Sequence, residues 1–205
     1  MDTNPDTLCA LWIHRSDAYT TPWGDGRKLY YANTYIPIVW IDGLIVSTSY
    51  QSDINARLAV PTDVVINIGA NQIDASTFLV NTEVCVEPGG IGKTMRLHVV
   101  ALLEKYPLED VYYRNCVRQG FELGDVTVGP GSCAAFEQTI TFDATSWANQ
   151  SDIKVAAFVH DPLPGGPAEV YQSAIVDWPL PDTMRPIFSN GAEDGTPDGW
   201  GVVVP

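Results

Sequence analysis

The chain has 205 residues, 25 acidic against 11 basic side chains and a formal charge of −14, with 45% hydrophobic and 18% charged residues. That balance excludes a disordered chain and leaves enough apolar material for a sizeable core. The acidic field excludes nucleic-acid backbones and disfavours anionic lipid surfaces, and no apolar run reaches the roughly 20 residues of a spanning helix, so no membrane span is expected.

In chain order, MDTNPDTLCALWIH comes first and carries acidic residues where a signal peptide has basic ones. Its apolar stretch is too short for the core of such a signal, so the expectation is a signal already removed or a protein that stays inside. Residues 8–14 are a continuous apolar run of strand length, as for a strand covered on both faces. A loop, RSDAYTTPWGDG, follows, and RKLYYA is a short helix candidate. IPIVWID and LIVSTS are two strand candidates joined at Asp42-Gly43, a tight-turn dipeptide. SDINARLA places Ile54 and Leu58 four apart and predicts a helix beginning near Ser52.

From Val64 the period becomes two. VVINIGA, TFLVNTEVCVE, MRLHVVALLEKY, VYYRNCVRQ, CAAFEQTITF, IKVAAFVHD and VYQSAIVDW are seven strand candidates separated by Gly, Pro, Asp and Asn clusters. Alternating strands with regular turn signals predict an antiparallel sandwich. In the second of them Phe78, Val80, Thr82, Val84 and Val86 fall on one face.

The cysteines, Cys9, Cys85, Cys116 and Cys133, contain no close pair, so neither a zinc ribbon nor a redox CxxC is supported, and no cofactor or metal is implied. More than one pairing is open. Cys116 with Cys133 is preferred, because both lie in the strand-rich region and the stretch between them reads as a hairpin connection. Four buried thiols are the alternative. His14, His98 and His160 are far apart in sequence, with Asp17 and Asp161 near two of them, and lone histidines at strand ends are usually structural. No nucleophile elbow, HExxH helix or P-loop is present. Glu109-Asp110 reads as a turn, and Asn149-Gln150-Ser151 matches a glycosylation acceptor. Trp12, Trp23, Trp40, Trp147, Trp178 and Trp200 read as core or as a sugar-binding face.

The order strand, helix, proline, strand, Asp-Gly turn, strand, helix over residues 8–59 resembles the C-terminal half of a thioredoxin fold. YYANTYIPIVWIDG matches that family's pattern around its cis-proline, which implies that role for Pro37. With IKVAAFVHD and EVYQSAIVDW as a final strand pair, the whole resembles the Omp28-type secreted or outer-membrane proteins. The resemblance implies an α+β, mostly β chain: a partial thioredoxin-like unit over 1–60, an immunoglobulin-like β-sandwich over 61–181 and a Gly/Asp-rich tail over 182–205. It also implies a bacterial, extracytoplasmic setting. The half of the thioredoxin fold that would carry CxxC is missing ahead of Leu8.

IFSNGAEDGTPDGW resembles a tail motif of secreted bacterial proteins and offers Glu193, Asp194 and Asp198 as calcium candidates, although its spacing is not that of an EF-hand and a solvated acidic turn is the simpler reading. The function expected is a non-catalytic interaction or accessory subunit, with an oxidoreductase relic and a carbohydrate- or calcium-binding module as alternatives. The expected docking surface is the edge of a strand at 8–14, left unpaired by the missing half and filled by a protein partner or a second copy.

Overall fold

The structure, a computed structural model, describes residues 9–183 except 33, 34, 36, 47 and 108–111, together with 185 and 186. Its body is a sandwich of two antiparallel sheets. The first has the order β10-β3-β4-β7, from Arg185–Pro186, Val64–Gln72, Thr77–Val86 and Ser132–Thr141. The second has the order β6-β5-β8-β9, from Tyr113–Val128, Lys93–Tyr106, Ile153–His160 and Val170–Asp177. The architecture is α+β and mostly β, and each of the seven strands read from the sequence is present.

Alternation explains the first sheet. Phe78, Val80, Thr82, Val84 and Val86 of β4 are buried and their neighbours are not, because a pleated strand sends successive side chains to opposite faces. Between the sheets they meet Met95, Leu97, Val99, Ala101 and Leu103 of β5 and Val155, Ala157 and Val159 of β8. The second sheet differs: Val100 and Leu102 point away from that core and are still buried, with Val117 of β6 and Ala156 of β8. Leu11, Trp23 and Ile175 pack against this outer cluster. Burying one such aliphatic side chain contributes about 1.5–3 kcal/mol.

The cover is a small N-terminal α/β unit. Its first helix, α1, spans Pro22–Tyr30, its hairpin pairs β1 (Trp40–Ile41) with β2 (Ile45–Val46), and α2 spans Tyr50–Leu58. The helix α1 starts well before the expected RKLYYA: the Thr21 hydroxyl accepts from Gly24 N at 3.0 Å and Pro22 occupies the first helical turn, where its missing N–H costs nothing. Gly24 and Gly26 made this stretch read as a loop. The Asp42-Gly43 turn is present, with φ of 46° and 69°, between strands of two residues each. A side chain at Gly43 would stand 2.1 Å from the Ala168 carbonyl, so only glycine lets the turn approach the loop before β9, and Val170 N at the start of β9 donates to Asp42 O at 2.9 Å.

Two expectations need correction. Among its described residues, 9–14 is no strand: Trp12 alone bridges to β6, donating to Asn115 O at 2.9 Å and accepting from Val117 N at 3.0 Å. Those polar groups are satisfied within the chain. Second, β6 runs on past Gln119 to Val128, through glycines that signalled a turn. Gly124, at φ 92°, sits where the β5 register slips, and Gly120 leaves room for Trp23, whose ring lies 2.4 Å from where a Cβ would be.

Candidate functional site

The most developed polar cluster lies where α1 meets the second sheet. His98 on β5 and His160 on β8 are both fully buried and face each other, Nε2 to Nε2, at 3.0 Å. The Asp161 carbonyl, 2.6 Å from His160 Nδ1, must accept a proton, so Nδ1 carries it and Nε2 of His160 is the acceptor. His98 therefore donates from Nε2, and its Nδ1 accepts from Trp23 Nε1 at 3.2 Å. Arg27 Nη1 approaches His160 Nε2 at 3.4 Å, and Arg27 Nη2 donates to the Tyr31 hydroxyl at 2.7 Å. The guanidinium also lies 4.4 Å from the centroid of the Tyr30 ring.

This chain of donors requires neutral imidazoles, and the surroundings enforce that. Burial, then the positive charge of Arg27, brings His98 from 6.5 down to about 2. Burial brings His160 down to about 4, against the Asp161 hydrogen bond that favours the charged ring. With both lone pairs engaged, neither ring is free to take a proton from a substrate. The arrangement fastens α1 to strands far away in sequence. Beside it Trp23, Gly26, Arg27, Tyr30 and Glu122 line a cleft of about 290 Å³.

His14 joins neither ring; its Nδ1 bonds Asp17 Oδ2 at 2.7 Å instead. Arg57 of α2 bonds Asp42 at 2.9 Å and Glu169 at 2.8 Å, tying helix, hairpin turn and the loop before β9 together. Trp147 and Trp178 pack on Phe78 at the sandwich core, Trp12 stacks on Tyr113 and Trp40 on Tyr31, so the tryptophans are dispersed. Trp200 lies outside the described residues.

The disulfide preference is overturned. Cys133 is bonded to Cys85, its direct opposite in the β4–β7 ladder with Cα atoms 4.0 Å apart. Cys116 sits in β6, in the other sheet, as a fully buried free thiol. The hairpin reading of the intervening stretch failed because the chain crosses between sheets there. Burial pushes the Cys9 thiol up to about 12 and the Cys116 thiol up to about 11. Pro37 is exposed, but Ile36 lies outside the described residues, and with it the bond that a cis-proline role concerns. Glu193, Asp194 and Asp198, the calcium candidates, and the Glu109-Asp110 turn also lie outside them.

On the outer face of the first sheet the Glu83 carboxylate and the sulfurs of Cys85 and Cys133 lie within 4.8 Å of one another. Asn67, opposite on β3, donates from Nδ2 to Glu83 Oε2 at 2.8 Å. Sequence spacing gave no hint of this cluster, since 48 residues separate the cysteines and only strand register joins them.

No family model matches the chain, and no curated protein matches it in sequence. Among solved structures it is similar to HBP35 of Porphyromonas gingivalis, with a TM-score of 0.68 and 13% identity over 89% of this chain and 68% of that one. Protein AGR_C_4864 from Agrobacterium tumefaciens matches with a TM-score of 0.50 and 14% identity over 82% and 73% of the two chains. A domain of the outer membrane lipoprotein Omp28 from Porphyromonas gingivalis matches with a TM-score of 0.41 and 16% identity over 58% and 90%. At these identities the likeness to HBP35 is one of fold.

Proposed function

We propose that this chain is a non-catalytic, extracytoplasmic interaction or accessory subunit that binds another protein through its N-terminal α/β unit. In this reading 1–60 is a partial thioredoxin-like unit, 61–181 the sandwich that carries it, and 182–205 a tail. The observation that carries the reading is the apolar surface of that unit. Leu29 is 76% exposed and Tyr50 54%, and Leu44, Val46, Leu58 and Val60 are exposed as well, while no described residue of α2 is buried. Scattered apolar residues are ordinary on a surface; this many in one small unit fit a docking face. The docking surface thus moves from the edge at 8–14, where Trp12 is already bonded, to the helices and hairpin. A disulfide on the outer face of the first sheet supports an oxidising compartment.

Size-exclusion chromatography with light scattering, run with and without Leu29→Glu and Leu58→Glu, tests whether the occupant is a second copy. A dimer that the two substitutions dissolve supports that form. For a partner of another kind, the same substitutions must abolish co-purification from the native source, and retained binding would refute the reading. The acidic surface favours a basic patch on the partner, so association should weaken as salt rises.

A second reading is an oxidoreductase fragment whose dithiol lies elsewhere; this chain covers 68% of the HBP35 chain, which leaves about a third of that chain unmatched. Thiols as little ionised at neutral pH as Cys9 and Cys116 are poor nucleophiles. An insulin-reduction assay should show no acceleration by this chain, and turnover lost in Cys9→Ser would revive that reading.

A further inference from the structure

The cluster on the outer face of the first sheet has a chemistry of its own, independent of the partner reading. We propose that, once the Cys85–Cys133 disulfide is reduced, Glu83, Cys85 and Cys133 form a binding site for a thiolate-preferring divalent cation of the zinc type.

The geometry is already assembled. The three donor groups lie within 4.8 Å of one another. Zinc takes sulfur at about 2.3 Å in a tetrahedron, which sets two bound sulfurs roughly 3.8 Å apart. Side-chain rotation alone can open two cysteines on directly opposed residues to that distance. The strands remain in place without the sulfur bond, since the β4–β7 ladder runs from Thr77↔Thr141 to Cys85↔Cys133 and Gly131 N donates to Val86 O at 2.8 Å just beyond it. Glu83 lies two residues before Cys85, hence on the same face, and the Asn67 amide holds one of its oxygens at 2.8 Å.

Access and charge agree with this use. Cys133 is exposed, and Glu83 and Cys85 are half-buried, so a reductant and an ion can both reach the sulfurs. The net charge of −14 draws cations toward the surface. Reduction by a dithiol breaks the S–S bond; two electrons and two protons pass to the cysteine sulfurs, and the dithiol leaves as its own disulfide. Zinc then displaces the two thiol protons to solvent and binds two thiolates and a carboxylate, with water completing the tetrahedron. The oxidised protein has no such site, so redox state gates metal binding.

The test uses the full chain in a Cys9→Ala/Cys116→Ala background, reduced with a phosphine. The phosphine gives two electrons to the S–S bond and takes its oxygen from water, leaving two thiols and no competing dithiol. Cobalt(II) titration should give one equivalent bound, with tetrahedral visible bands and a thiolate-to-cobalt charge-transfer band, both displaced by zinc. Glu83→Gln should weaken binding about tenfold, and Cys85→Ser should abolish the charge-transfer band. The oxidised protein should show neither feature. Far-ultraviolet circular dichroism accompanies each titration. Loss of the strand signal on reduction, no charge-transfer band in the reduced protein, or bands that survive Cys85→Ser would each overturn the proposal.

Discussion

The two outer faces of the sandwich are built on the same pleat and have opposite fates. On the second sheet, Val100, Leu102, Val117 and Ala156 are at most 1% exposed beneath the N-terminal unit, with His98 and His160 in the same layer. On the first sheet, the equivalent positions of β4 and β7 hold Asn81, Glu83, Glu137 and Thr139, none of them buried. The difference is written in the strands. IKVAAFVH of β8 is apolar almost without interruption, while TFLVNTEVCV of β4 alternates. A strand apolar on both sides announces a cover on both sides.

The largest expected effect comes from placing one charge on each face. Val100→Asp buries a carboxylate with no partner and should cost roughly 4 kcal/mol or more, or detach the cover, as read by urea unfolding. Leu79→Asp on the uncovered face of β4 should cost less than about 1 kcal/mol. Equal losses would mean that the two faces are not different in kind.

Trp23→Ala comes next, since it removes the ring packed on Gly120 and the donor to His98 Nδ1 together. A loss of about 3 kcal/mol is expected. Hydrogen exchange should locate it: amides of α1 lose protection while those of β3 and β4 keep theirs. Global loss of protection would show that the cover and the sandwich unfold as one.

Acid sharpens the comparison further. Both covered histidines have folded pKa values below the 6.5 of the unfolded chain, so below 6.5 the unfolded state binds the extra protons. Their contribution is complete above that pH and fades as pH falls, through about 4 for His160 and toward about 2 for His98. Each histidine adds a slope of at most about 1.4 kcal/mol per pH unit. The carboxylates held low, Asp17, Asp63, Asp125 and Asp143, have an unfolded value of 3.8 and begin to matter below about pH 5, so the interval from about 5 to 6.5 belongs to His98 and His160. His160→Gln should flatten the dependence of the urea midpoint on pH over that interval; an unchanged slope would disprove the assignment.

The smallest effect is expected from Arg57→Ala, which removes two partly exposed ion pairs from the far side of the unit and should cost about 1 kcal/mol, with α2 losing protection first.

The sandwich was legible in the sequence because strand alternation and turn residues are local signals. The cover was legible only in part. Thr21 and Pro22 are recognisable as a helix start, but Gly24 and Gly26 masked them, and the two-residue strands of the hairpin are held by docking on the loop before β9 rather than by their own length. The histidine pair and the cysteine bridge were illegible for one reason. Each depends on register between strands distant in the chain, 62 residues for His98 and His160 and 48 for the cysteines, and no spacing rule reaches across such intervals.

The contact between Arg27 and His160 spans 133 residues, and it bears on how the polypeptide is made. During vectorial synthesis the segment bearing α1 leaves the ribosome first, whereas β8, which it must cover, is among the last strands to emerge. Until then α1 can lie only on β5 and β6, through Trp23 against His98 and Gly120, and it lacks the part of its seat that Arg27 makes with His160; closing so long a loop is slow. A nascent chain halted before Ile153 should therefore hold its first sixty residues open to a chaperone, and release from the chaperone should follow completion of the second sheet.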